Sequence, residues 1–198
     1  MEVTITLVIF RVNREGLVVY APKDGLPSQV VGLTNSLEEQ VEEIFSKSIG
    51  FPLGNNYVEQ LYTISSNGST ITIVYYVLLE KDTKQESHAQ NWMPVSHENV
   101  PEKPIIDYAE QRLQWKLEYT NVVYSLLPEE FSLSELQKVY AIILGKTLDK
   151  RNFRKKCFRS TFLNQRRKNV LGIPDRHKCM PSYTVHQLLS KYSPSWLF

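Results

Sequence analysis

The side chains best suited to chemistry lie in one short run, DKRNFRKKCFRSTF, from Asp149 to Phe162. Lysine and arginine can neutralise phosphates or pair with guanine edges, asparagine can pair with adenine, and a helix carrying them fits the major groove of DNA. The candidates are Lys150, Arg151, Asn152, Arg154, Lys155, Lys156 and Arg159. Advancing about 100° per residue from Phe153 gathers Cys157, Ser160 and Thr161 on one side, with Asn152, Lys155, Lys156 and Arg159 on the opposite arc. One face is suited to packing, the other to a polyanion. A solvated basic face or a membrane-surface helix would use the same residues, because charge alone does not name its partner. A second cluster, Glu38, Glu39, Glu42 and Glu43, reads as a solvated helix face near a favourable dipole, with a metal site as the alternative. Cys157 and Cys179 lack zinc-site spacing and read as reduced thiols.

The elements that would position the basic run are marked just before it. Ser132 and Glu135 form a capping box, Phe131 and Leu136 occupy staple positions, and Leu133, Leu136, Val139, Tyr140, Ile143 and Leu144 make one apolar stripe ended by Gly145. Asp149 is a good N-cap for the basic helix. Helix, short turn, basic helix is the helix-turn-helix order, and the stretch from Arg176 to Val185 is the candidate wing. Charge follows the same division. From Gly145 onward 13 Lys and Arg face two Asp, a balance of +11, whereas the other residues carry 10 basic and 19 acidic side chains, or −9. The formal net charge of +2 conceals two electrically opposite parts.

Upstream, Val3, Ile5 and Leu7 alternate with polar residues and Asn13-Arg14-Glu15-Gly16 supplies a turn, predicting a hairpin of residues 2–10 and 16–20. Ser36 and Glu39 cap a helix with Leu37, Val41, Ile44 and Phe45 at helical spacing, closed by Gly50. Strands are expected near Tyr57–Ile64 and Thr70–Glu80, a short edge strand at Trp92–Val95, and a long helix from Pro104 to about Ser125. The chain of 198 residues can hold one large or two small α+β domains. No apolar run approaches the ~20 residues of a membrane span, and the alternating N-terminus reads as a strand rather than a signal peptide, so the expected location is cytoplasmic.

The run LPEEFSLSELQKVYAIILGKTLDKRNFRKK, from Leu127 to Lys156, resembles at nearly every position the pattern of the Nudix-related transcriptional regulators. YVEQLYT from Tyr57, WMPV from Trp92 and IIDYAEQRLQWKLEYT from Ile105 are similar to that family as well. The resemblance implies an N-terminal Nudix-like α/β/α sandwich over 1–103, a connecting helix over 104–126 and a winged helix-turn-helix over 127–198. It makes an enzyme test available. A catalytic Nudix box clusters helix carboxylates that hold magnesium against a diphosphate and provide a base. Anchoring the box on Gly50-Phe51 puts Gln29 and Asn35 at its first glycine and glutamate, Glu43 and Ile44 at its arginine and glutamate, and Lys47 and Ser48 at two metal-binding glutamates. The chemical positions are replaced, and no metal or other cofactor is expected.

For this family, a non-catalytic Nudix fold implies an effector sensor for ADP-ribose, a related nucleotide or a sugar derivative. Glu59, Gln60 and Tyr62, in the retained motif, are candidate ligand residues, with a structural role for the motif as the alternative. On an alternating strand at least one of them should face the core. ISSNGST stands where many NAD-sensing members carry an arginine-rich loop. The expected protein is a metabolite-responsive regulator that binds a double-stranded DNA operator as a homodimer, because one recognition helix reads only a few base pairs. The alternatives are a Nudix-type hydrolase with displaced catalytic residues and an accessory nucleic-acid-binding domain, and an architectural or RNA-binding protein.

Overall fold

The computed structural model describes residues 2–14, 16–32, 35–66, 68–80, 89–100, 102–128, 130–159 and 183–184. By internal contacts the chain divides into two compact units, 1–112 and 113–198.

The first unit is built on a mixed sheet. Strand β1 (Glu2–Val12) pairs antiparallel with β2 (Leu17–Tyr20) through the register Phe10 to Val19, as the hairpin reading requires. Asn13 closes the turn: its backbone N–H donates to Gly16 O at 3.0 Å and its side chain accepts from Gly16 N at 2.9 Å. Helix α1 (Leu37–Ile49) begins at the Ser36/Glu39 capping box and ends where Gly50 takes φ 90°, a conformation that glycine adopts without a Cβ clash. Strands β4 (Tyr57–Ser66) and β5 (Thr70–Leu79) pair antiparallel, and β6 (Trp92–Pro94) pairs with β2 at the sheet edge. The strand order is β4, β5, β1, β2, β6.

Two strands depart from the sequence reading. Strand β1 is central, parallel to β5 on one side, so Thr6, Val8 and Phe10 are as buried as Ile5, Leu7 and Ile9. Alternation marks a half-covered strand, and β1 is covered on both faces. The sequence reading also omits β3 (Ser28–Val31), which pairs with Val3–Thr6 of β1. Its four residues include an exposed Ser28 and Val30 and carry no period of their own.

Ile5, Leu7, Ile9, Val77 and Leu79 join Val41, Ile44, Phe45 and Ile49 of α1 in one apolar core. The other face of the sheet meets the first half of α2 (Lys103–Tyr119), where Ile106 and Ala109 are fully buried and Tyr62 packs edge-on against Tyr108 at 5.2 Å. Pro104 lies in the first turn of α2, where its missing N–H costs nothing. The helix does not run to Ser125. It ends at Tyr119, with Thr120 Oγ1 donating to Lys116 O at 2.7 Å, and a separate 3-10 turn, Val122–Leu126, follows. Thr120 N–H donates to the same carbonyl at 2.9 Å, and Thr120 Oγ1 in turn accepts from Val122 N at 3.3 Å, so the threonine hydroxyl takes up a donor beyond the helix end.

In the second unit, Leu113 and Leu117 of α2 are fully buried, and Gln114 Nε2 donates to Ile143 O of α3 (Leu133–Ile143) at 2.9 Å. Strand β7 (Glu130–Phe131) pairs antiparallel with β8 (Tyr183–Thr184), the described part of the expected wing. The rest of 176–185, Arg166-Arg167-Lys168 and Cys179 lie outside the described residues.

Candidate functional site

Helix α4 (Lys150–Arg159) is set by two local devices. At the end of α3, Gly145 N–H donates to Ile142 O and Lys146 N–H to Ala141 O, both at 3.2 Å, with Gly145 at φ 61°. This is a Schellman stop, which turns the chain where a left-handed residue is available. Four residues on, Asp149 Oδ1 accepts from Asn152 N at 2.8 Å and starts the next helix as the sequence predicts. Gln137 on α3 ties the two together, donating from Nε2 to Leu148 O at 2.6 Å.

Phe153 and Cys157 face inward, each 3% exposed, and Phe153 packs edge-on against Tyr140 of α3 at 5.6 Å. Burial pushes the Cys157 thiol up to about 12, so it is protonated at neutral pH and is no nucleophile. The Tyr140 hydroxyl is likewise pushed well up by burial, with Tyr124 and Cys157 adding to it. Lys150, Arg151, Asn152, Arg154 and Lys155 are exposed. The wheel drawn from Phe153 therefore matches for Asn152 and Lys155. Lys156 and Arg159 belong to the helix, but their side chains lie outside the described residues. Such an arrangement presents donors and positive charge from a helix anchored on its opposite side, which suits phosphates and base edges.

The first unit brings together some of the positions that the Nudix alignment singles out. Lys47 Nζ donates to Glu43 Oε1 at 2.5 Å and to Gln29 Oε1 at 3.3 Å. The Lys47 ammonium holds the Glu43 carboxyl below the usual carboxylate range, first by its hydrogen bond and then by its charge. Ser48 Oγ donates to Ile44 O at 2.8 Å, and Asn35 O accepts from Gln40 Nε2 at 3.1 Å. Glu42 holds a loop, accepting from Leu53 N at 2.9 Å and Ser46 Oγ at 3.1 Å. Among the described residues no three His, Cys, Asp or Glu are grouped to hold a metal ion.

Glu59, Gln60 and Tyr62 divide between the two faces of the sheet, but not by simple alternation. Glu59 pairs with Tyr76, Gln60 with Tyr75 and Tyr62 with Val74, leaving Leu61 as an extra residue. This bulge puts Glu59 and Tyr62 on the same face, toward α2. Glu59 Oε2 accepts from Tyr57 Oη and from Tyr76 Oη at 2.9 Å, and Arg112 stands 3.8 Å from Oε1. Gln60 is exposed on the α1 face, bonded only locally to Thr63 Oγ1 at 3.0 Å among its described contacts. The tyrosines around Glu59 were missed in the sequence reading, because Tyr76 reaches it only through cross-strand pairing.

Known proteins resemble the chain in both its Nudix-like and its winged-helix part. Residues 123–170 match the family model of the NrtR DNA-binding winged helix domain. A curated relative, the "ADPR responsive transcriptional repressor NtrR" of Acinetobacter baylyi, is 30% identical over 118 residues, 52% of this chain and 47% of its own. The match thus spans about half the length of that relative. Crystal structures of Shewanella oneidensis NrtR superpose with a TM-score of 0.72 at 22% identity, covering 98% of both chains, and with the same score for its complex with a 27mer DNA, covering 96% of both. A MutT/nudix family protein of Enterococcus faecalis gives a TM-score of 0.61 at 20% identity, covering 78% of this chain and 80% of its own. These likenesses bear out the resemblance to Nudix-related regulators and establish the fold as a Nudix-like domain joined to a winged helix.

Proposed function

We propose that this chain, a Nudix-like domain joined to an NrtR-type winged helix, is a metabolite-responsive transcriptional regulator that binds a double-stranded DNA operator as a cytoplasmic homodimer. The observation that carries the reading is the division of α4, with Phe153 and Cys157 buried while Lys150, Arg151, Asn152, Arg154 and Lys155 are exposed. A basic helix anchored on one side presents a fixed set of donors to a groove, which a loose charged tail does not. The match to a DNA-binding winged helix domain and the repressor relative support it.

The Nudix-like domain then acts as sensor rather than hydrolase. Its effector belongs to the ADP-ribose class of nucleotides or to sugar derivatives, in line with the responsiveness named for the Acinetobacter relative. Of the three motif residues, Gln60 is the most open to a ligand, whereas Glu59 is engaged by tyrosine hydroxyls. The domain boundaries proposed for these roles are 1–103, 104–126 and 127–198. A mobility-shift assay on DNA adjoining the chain's own gene, with and without ADP-ribose, tests the reading. A specific shift altered by the nucleotide is expected; equal affinity for scrambled DNA or a preference for RNA would overturn operator recognition. Magnesium-dependent release of phosphate-containing products from ADP-ribose would overturn the sensor assignment.

A further inference from the structure

A Nudix fold implies a divalent cation on α1, and the donor set of this chain does not fit one. Magnesium demands near-octahedral oxygen coordination, usually with one or more free carboxylates. Here the Glu39 carboxylate closes the capping box, Glu42 holds Leu53 N–H and Ser46 Oγ, and the Ser48 hydroxyl donates to Ile44 O. Of the two remaining carboxylates, Glu38 stands exposed in the first turn, nine residues from Lys47, and Glu43 is met at 2.5 Å by an ammonium that also reaches Gln29 on β3.

We infer that the Lys47 ammonium stands in place of the divalent cation, so that this face takes a phosphate-bearing ligand without metal. A lysine head carries three N–H donors. Two are used by Glu43 and Gln29, which leaves a third for a phosphate oxygen. Its side chain is 61% exposed, so a ligand can reach it from solvent. Pairing with Glu43 also removes the negative charge that would otherwise repel a diphosphate. The ammonium is thus both neutraliser and donor, the two tasks that a metal ion performs at such a site. This inference rests on the sensor reading for its ligand, and on the α1 side chains alone for the exclusion of metal.

The full-length protein and two probes test it. Titration of manganese alone, followed by electron paramagnetic resonance, is expected to show no saturable site dependent on Glu43. Lys47→Glu, which frees the carboxylate and adds another one turn away, is expected to gain a site about tenfold tighter than any on the parent. Lys47→Gln is the neutral control, with thermal melting to verify folding. Calorimetry with ADP-ribose is expected to give the same affinity in EDTA and in magnesium, and a loss of about fivefold in Lys47→Ala, the scale of one exposed charge-assisted hydrogen bond. A parent manganese site lost in Glu43→Gln would overturn the inference. So would a gain in ADP-ribose affinity of about tenfold on adding magnesium, or an unchanged affinity in Lys47→Ala. If ADP-ribose fails to bind the parent at all, the sensor reading for that ligand falls, and the manganese result still decides the donor set.

Discussion

Phe153 and Lys155 stand two residues apart on α4 and should fail in opposite ways. Phe153→Ala removes a buried ring against Tyr140 and is expected to destabilise the second unit by about 3–5 kcal/mol, read by denaturant unfolding. Lys155→Ala should change stability by less than about 0.5 kcal/mol, because the side chain is exposed. Its proposed role is at DNA. As base readers, Lys155 and Asn152 should relax sequence preference when replaced by alanine. As phosphate contacts, Lys150 and Arg154 should each lower the salt slope of binding by about one counterion. If all four variants behave alike in salt-titrated mobility shifts, the assignment of faces is wrong. These residues were legible in the sequence because a helix period and an N-cap are local signals. The surroundings of Glu59 were not, since they depend on which β5 residue lies opposite it.

At the scale of elements, caps and stops decide where α3 and α4 begin and end. Gly145 sits at φ 61° with open space around its Cβ position, so Gly145→Ala meets strain rather than collision. A cost of about 1–2 kcal/mol is expected, measurable as a lower midpoint in denaturant. Ser132→Ala removes the acceptor for Glu135 N and should cost about 1 kcal/mol. Both boxes, Ser36 with Glu39 and Ser132 with Glu135, were readable because all their partners lie within one turn. β3 was not readable for the converse reason. Its place depends on Val3–Thr6, more than twenty residues away in sequence, and nothing in SQVV itself announces a strand. The end of α2 at Tyr119 was hidden by an apolar spacing that continues into the 3-10 turn, where Val122, Val123 and Leu126 remain buried without being α-helical.

For the whole molecule, the balance of −9 before Gly145 and +11 after it predicts two responses to solution conditions. DNA affinity should fall steeply with added salt, because released counterions return to the duplex. Stability should be sensitive to alkali rather than to mild acid in the second unit. Burial raises the Cys157 thiol to about 12 and pushes Tyr124 and Tyr140 upward as well. Once unfolded, the thiol ionises near its ordinary value of 9.0, while the folded form retains the proton. The unfolded state then binds fewer protons, so stability is fully present below that value and declines as pH rises toward 12. Thermal melts should show a flat midpoint at neutral pH and a fall through this alkaline window; a midpoint that rises there would contradict the burial of these groups.

The extra residue in β4 changes how the strand tolerates genetic change. Substitution at Leu61 leaves the count of residues intact and should preserve which side chains meet α2. Deleting it would place Tyr62 directly after Gln60 and still opposite Val74, so uniform alternation would keep Tyr62 on the face of Tyr108, whereas inserting a further residue there would threaten that phase. The strand is thus written in two reading phases joined at one position, and the loss of one residue is absorbed there but not along the regular ladder on either side.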